Sequence, residues 1–381
     1  MKDVSFIVED FEESIFATMS TLAKKHNAIN LAQGFPNFDG PDFIKSEAID
    51  YIRNGFNQYA PYKGICELRE SVSFYLNYFY HFELDADKEI TITTGATEGI
   101  FSAVFSLVNP GDEVLVIEPY YDSYVTAVKM AGGIPIFCSL DSHFNLSLEN
   151  IKNKITSKTK LLIINNPHNP TGKVYDLHTL EQLALIICTN DLYVISDEVY
   201  EFLYFDKSFI PLQKIKSLKN RCITLSSAGK TFGLTGWKIG WAYGPERLIS
   251  LLSKVRQYTT FSVSTPMQFA MSKAIRKLPQ YVSDFQISYK SKRDLLATGL
   301  SKCGFEVYPC DGTYFLIARY SSISDKKSVE FSKELIEKYQ VATVPLSPFY
   351  SKGTEGDHLI RFCFAKTEEV INNALKNLNF L

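Results

Sequence analysis

The 381-residue sequence has no Cys-x-x-Cys pair and no His-x-x-x-His pair. Its seven cysteines (Cys66, Cys138, Cys188, Cys222, Cys303, Cys310 and Cys363) are odd in number and scattered. Neither a zinc site nor a disulfide framework is expected, and a reducing cytoplasm is the expected compartment. No apolar run approaches the roughly 20 residues that a membrane helix needs. The opening "MKDVSFIVEDFEESIF" carries acidic residues where a secretory signal would need an apolar core. Charge of one sign is also lacking. A net charge of −2 gives no electrostatic case for nucleic acid or membrane lipid as a partner. The Lys-rich runs "NIKNKITSKTK" and "QKIKSLKNR" read as solvated helix faces or connectors. Internal repeats, low-complexity tracts and an obvious flexible linker are absent as well.

What is present is a chain that is 45% apolar, enough to bury a substantial core, and long enough for a large domain and a smaller one or for two comparable domains. From about residue 90, short β-rich runs alternate with helical patterns: "EITIT", "EVLVIEP", "IPIFC", "KLLIINNP", "LYVISDE", "CITLSS" and "IGWAYG" are separated by stretches such as "ATEGIFSAVFSLV" and "LHTLEQLALIIC". This order predicts an α/β fold with a mostly parallel central sheet covered by helices on both faces. Ligands of such sheets sit beyond the carboxyl ends of the strands. Polar clusters follow four of these runs directly: "GAT", "NNPHNPTG", "SDEVY" and "SSAGK". After Tyr258 come long helical patterns and then a smaller α+β pattern. The expected division is a large domain over 46–285 and a small domain over 286–381, joined by the N-terminal segment 1–45.

The stretch "SSAGKTFGLTGWKIGW" (Ser226 to Trp241) sets Lys230 among small residues. A phosphate-gripping loop of the Gly-x-x-x-x-Gly-Lys-Thr type would need glycine where Thr224 stands, and no Gly-x-Gly-x-x-Gly fingerprint is present. A lysine that captures an aldehyde as an imine explains its companions better. Pyridoxal phosphate needs a carboxylate for its ring nitrogen, polar partners for its ring oxygen, and amides, hydroxyls and a cation for its phosphate. Asp197 ends a β-rich run, where a lone charge is costly to bury; seen alone it also reads as a helix N-cap. Asn169 and Tyr200 can serve the ring oxygen, although Asn169 alone reads as a turn residue. Ala96 and Thr97, with Ser227 and Lys238, offer the phosphate contacts.

At this point the chain resembles the class I/II, fold-type I aminotransferases dependent on pyridoxal 5′-phosphate. The motifs are "NNPHNPTGKV", "ISDEVYEFL", "SSAGKTFGLTGWKIGW" and "LIRFCFAK", and the likeness runs from "INLAQGFPNFDGP" through "NQYAPYKGICELRE" to the C-terminal helix. Within that family it is most similar to the methionine aminotransferase branch, beside the kynurenine/glutamine aminotransferases. The resemblance implies that Lys230 forms the imine and shuttles a proton, and that Asp197 pairs with the ring nitrogen. Asn169 and Tyr200 bind the ring oxygen, Tyr121 stacks on the ring, and Ala96, Thr97, Ser227 and Lys238 hold the phosphate. Lys238 stands where many relatives carry arginine. Tyr59 matches a residue that reaches the phosphate of a neighbouring subunit, which implies a homodimer with shared sites. Arg361 and Gly34 would hold the substrate α-carboxylate.

The implied reaction is a ping-pong transamination between an amino acid and a 2-oxo acid, with no metal. No second arginine for a side-chain carboxylate is found. The pocket candidates Phe16, Phe35, Phe38 and Phe261 suit methionine, glutamine, aromatic amino acids or kynurenine. A C–S β-lyase acting on cysteine conjugates is the alternative on the same fold. A regulator with a fused DNA-binding segment would need an N-terminal extension, and a silent homologue would have no use for Lys230, Asp197, Asn169 and Arg361 together.

Overall fold

The computed structural model describes residues 5–381 except Asp10, Glu12 and Gly353. Part of the acidic opening stretch read above, Met1–Val4 with Asp10 and Glu12, therefore lies outside the described residues. A short strand β1 (Ile29–Asn30) precedes the main sheet. That sheet comprises β2 (Ile90–Thr94), β3 (Glu113–Glu118), β4 (Ile134–Ser139), β5 (Thr159–Asn165), β6 (Tyr193–Asp197), β7 (Cys222–Ser227) and β8 (Ile239–Tyr243). Its strand order is β2-β8-β7-β6-β5-β3-β4. Only β8 is reversed: it is antiparallel to β2 and to β7, and the remaining pairs are parallel.

Alternation along the strands explains the layers. Val114 and Val116 of β3, with Leu161 and Ile163 of β5, pack with Ile100 and Val104 of the helix Gly95–Leu107. The intervening Leu115, Ile117, Leu162 and Ile164 face the opposite way, onto Leu180 and Leu183 of the helix Leu177–Thr189. Strands apolar at every position are buried on both faces, as central parallel strands must be. The crossover helix Asp122–Met130 stops before Gly132, which has φ +78°, and a Cβ on Gly133 would lie 2.7 Å from Val108. Ser147 and Asp176 cap the next two crossover helices by accepting from Asn150 N and Thr179 N.

The C-terminal part forms β9 (Glu306–Val307), β10 (Phe315–Arg319), β11 (Val341–Ala342), β12 (Val344–Pro345) and β13 (Leu359–Cys363). Four of these make an antiparallel sheet in the order β12-β13-β10-β9, while β11 pairs in parallel with β1. The N-terminal segment is thus tied by its strand to the C-terminal part. The helix Leu278–Lys302 is continuous over 25 residues and spans the position between 285 and 286. Among the described residues no helix is long and apolar enough to cross a membrane.

Candidate active site

The carboxyl ends of β2, β5, β6 and β7 lie along one edge of the sheet, and the amino end of β8 joins them there. Beyond this edge is a cavity of about 250 Å³. Its walls include Gly34, Ala96, Thr97, Tyr121, Asn169, Asp197, Tyr200, Ser227, Lys230, Lys238 and Arg361, so eleven of the twelve expected site residues converge on it. Tyr59 does not. It is 83% exposed, with its ring edge-on to Phe261 at 5.5 Å.

Asp197 is buried at the end of β6, where no helix follows; the chain turns instead through Val199–Phe202. The N-cap reading of this residue therefore fails. Its Oδ2 accepts from Tyr124 Oη at 2.6 Å and its Oδ1 from Val199 N at 3.3 Å. Burial nevertheless pushes its pKa above the usual range, against those two bonds and the nearby Lys230. A buried carboxylate reluctant to stand alone is suited to a protonated ring nitrogen. Beside it in the parallel register, Asn165 donates its side chain to the Asp197 carbonyl at 2.7 Å and accepts Asn169 N at 2.6 Å. This fixes the loop that carries Asn169. The Asn169 Oδ1 accepts from Arg361 Nη1 at 2.9 Å, which leaves its amide hydrogens as the groups available to a ligand.

Arg361 is 1% exposed on β13, with its guanidinium 3.8 Å from the Phe315 ring centroid and 4.9 Å from that of Phe16. Its Nη2 donates to the Ala32 carbonyl at 3.1 Å, while the buried Nε has no partner among the described residues. Burial lowers its pKa. An orphaned guanidinium donor at a cavity wall calls for an acceptor such as a carboxylate.

Lys230 belongs to the short helix Ala228–Phe232 that follows β7 directly. Its Nζ lies 3.0 Å from Tyr314 Oη and 3.4 Å from the Gly34 carbonyl. Burial lowers its pKa to about 8, with Asp197 opposing and Arg361 and Lys238 reinforcing the shift. Across the cavity, the first turn of the helix Gly95–Leu107 presents backbone N–H groups with no intrahelical partner. Gly95 has φ +69°, and a Cβ there would approach Lys238 Nζ to 3.2 Å, so glycine lets that ammonium sit over the helix start. Helix amides, Ser227 and Lys238 form an anion cradle. An anion cradle, an amine and a buried carboxylate around one cavity fit pyridoxal phosphate.

Of the four phenylalanines expected in the substrate pocket, Phe16 lines the cavity. Phe35 lies under Lys366 Nζ, Phe38 packs on Tyr289 and Phe261 on Tyr59, all away from it. Sequence reasoning missed Tyr124, Asn165, Tyr314 and Phe315. Tyr124 follows Tyr121 by three residues, a helical spacing that would have placed it on the same face, and Asn165 is the first of the "NN" pair. Tyr314 and Phe315 carried no local signal.

Residues 26–378 match the family described as aminotransferase class I and II. The chain is 39% identical over 370 residues to the methionine aminotransferase of Escherichia coli (strain K12), covering 97% of this chain and 96% of that one. It is 36% identical over 408 residues to the kynurenine–oxoglutarate transaminase of Dictyostelium discoideum, covering 97% and 94%. Among solved structures, the N-succinyldiaminopimelate aminotransferase of Mycobacterium tuberculosis superposes with a TM-score of 0.96 at 40% identity, over 100% of both chains.

Proposed function

The chain belongs to the class I and II aminotransferases, fold-type I enzymes dependent on pyridoxal phosphate, and we propose that its own reaction is the transamination of an apolar or neutral L-amino acid, methionine foremost. Pyridoxal phosphate, when bound, supplies an aldehyde for imine formation and an electron sink conjugated to the substrate Cα. The observation that carries the substrate reading is the cavity's set of cations. Lys230, Lys238 and Arg361 are the three among the described lining residues, each has a task, and none is left for a side-chain carboxylate.

In this reading Lys230, whose pKa burial lowers to about 8 so that a neutral amine is accessible, holds and moves the proton at Cα. Asp197 keeps the ring-nitrogen proton in place. The Asn169 amide and the Tyr200 hydroxyl donate to the ring oxygen, and Tyr121 stacks on the ring. The Ala96 and Thr97 amides, Ser227 and Lys238 hold the phosphate. Arg361 would bind the α-carboxylate through its planar fork with Gly34 beside it, and would thereby fix the orientation of the substrate Cα toward Lys230. Phe16 and Phe315, flanking that guanidinium, keep the substrate side apolar. Discrimination in such a pocket is shallow, roughly 1–3 kcal/mol per methylene, so glutamine, aromatic amino acids and kynurenine are expected to react as well.

The exposed Tyr59 belongs in this reading to a homodimer, where it reaches the partner's phosphate. The division into 46–285 and 286–381, with 1–45 on the smaller part, is kept, the helix Leu278–Lys302 bridging the two. A reducing cytoplasm agrees with seven free cysteines, four of them buried.

The test is the absorbance of the purified protein with and without methionine, for wild type and Lys230→Ala, followed by assay of the 2-oxo acid from a panel of donors. A yellow protein bleached by methionine, with colour and reaction lost together in K230A, is expected. Faster turnover of an acidic donor than of methionine would overturn the substrate reading. Release of pyruvate and ammonia from a cysteine conjugate without an oxo acid would favour the β-lyase alternative.

A further inference from the structure

Tyr314 is fully buried, on the turn that leads into β10, with its ring edge-on to Tyr200 at 5.3 Å and to Phe315 at 4.7 Å. Packing accounts for the ring but not for the hydroxyl, which stands between two groups of the site. It donates to the Gly34 carbonyl in a short bond, and Lys230 Nζ lies 3.0 Å from the same oxygen. A phenol has one hydrogen to give and lone pairs to receive. Once that hydrogen is committed to the Gly34 carbonyl, the phenol oxygen can only accept from the lysine. The neighbouring carbonyls of this strap are held by other side chains, Ala32 O by Arg361 and Phe35 O by Lys366 at 2.7 Å. These bonds pin the backbone on either side of Gly34, and the carbonyl that takes the phenol's hydrogen sits between the two pinned points.

We propose that Tyr314 is a positioning residue for the Lys230 amine: its hydroxyl, locked by the Gly34 carbonyl, is the acceptor on which the amine rests whenever it is not bonded to the cofactor. Donating one N–H to a fixed oxygen closes one of the three staggered positions of the amine to its lone pair. The lone pair is then confined to the two positions turned away from the phenol at the moment when it must take a proton from Cα. An untethered lysine on the same helix would have to find those positions at each turnover, which is the orientational loss that a placed catalytic group avoids. The charged and titratable groups around the amine are Cys363, Asp197, Arg361 and Lys238, with the phenol in direct hydrogen-bond contact. The inference rests on the proposed role of Lys230 and adds the group that aims it.

The experiment compares wild type with Tyr314→Phe, which removes one oxygen and keeps the ring. In the cofactor-free protein, the pH dependence of Lys230 labelling by an amine-reactive sulfonate is followed by mass spectrometry, with Lys230→Ala marking the site. Loss of an acceptor disfavours the ammonium, so the midpoint is expected to fall by roughly half to one pH unit in Y314F. In the loaded enzyme kcat is expected to fall about tenfold with KM nearly unchanged, the size of one lost hydrogen bond. The isotope effect from Cα-deuterated methionine is expected to rise, because proton transfer becomes more rate-limiting. An unchanged labelling midpoint together with an unchanged isotope effect overturns the proposal and leaves Tyr314 as packing. Thermal melting checks that Y314F is folded; if it is not, Tyr314→Met, of similar reach and without a hydroxyl, is read in the same way. A wild-type protein that takes up no pyridoxal phosphate would instead overturn the role assigned to Lys230, and the labelling arm, which uses no cofactor, tells the two failures apart.

Discussion

Behind the site lies a buried acid whose behaviour tests the electrostatic reasoning independently of any ligand. Glu201 is 1% exposed and accepts from Tyr80 at 2.9 Å, Tyr75 at 3.1 Å and Ser226. Three hydroxyl donors favour its charged form, yet burial dominates and raises its pKa from 4.5 to about 7. The same cause raises its neighbour Glu198 to about 8, with a contribution from the Glu201 charge. A carboxyl whose pKa is raised on folding is ionised first in the unfolded chain. Its penalty is therefore absent below about pH 4.5 and grows until the folded group ionises near pH 7, after which it is constant. A shift of this size corresponds to about 3 kcal/mol of stability withdrawn across that window. Glu201→Gln keeps an acceptor oxygen for the hydroxyls but cannot ionise, and it also relieves Glu198. For a chain of this length, with an unfolding entropy of about 0.8 kcal/mol/K, the stability difference becomes about 4 °C in Tm. Calorimetry of the cofactor-free protein should show E201Q gaining on wild type by that amount between about pH 5 and pH 8. A gap that stays constant or narrows with rising pH would mean that the hydroxyls outweigh burial, and the same weighing applied to Asp197 would be wrong.

Two further outcomes bear on the site itself. Tyr124→Phe removes the one side-chain hydroxyl that donates to the buried Asp197 carboxylate; a charge-assisted bond of this kind is worth about 1.5–3 kcal/mol, so kcat should fall roughly ten- to a hundredfold with weaker cofactor retention, and retention and rate equal to wild type would refute the assignment. Arg361→Lys keeps the charge but loses the fork and the bond to Asn169; kcat/KM for methionine should drop roughly 30- to 100-fold, mainly through KM, and a change under about threefold in steady-state assays would argue that the carboxylate binds elsewhere.

The sheet was readable because its signal is local. Runs such as "EVLVIE" and "KLLIIN" are buried on alternate faces by a period of two, and the polar residues that end them fall at the carboxyl edge by chain direction alone. Lys230 and Asp197 stood out for a related reason: Asp197 ends one β-rich run and Lys230 stands three residues beyond another, at the same edge of the sheet. Tyr124, Tyr314 and Phe315 belong to the commonest aromatic types of a chain with 22 tyrosines and 28 phenylalanines, so their residue type says nothing. What distinguishes them is partnership across the chain, 73 residues from Tyr124 to Asp197 and 84 from Lys230 to Tyr314. The phenylalanines show the same limit from the other side, since of four chosen for aromaticity only Phe16 faces the cavity, while Phe315 was passed over. The division follows from the chemistry. A group that bonds to the cofactor or substrate must have a particular reactivity, and that narrows its residue type. A group that aims another needs only a hydrogen-bonding atom or a flat face in the right place, and place is supplied by register and packing. The residues hidden from the sequence are therefore those that position, which is why the hydroxyls of Tyr124 and Tyr314 are the substitutions that separate geometry from reactivity in this site.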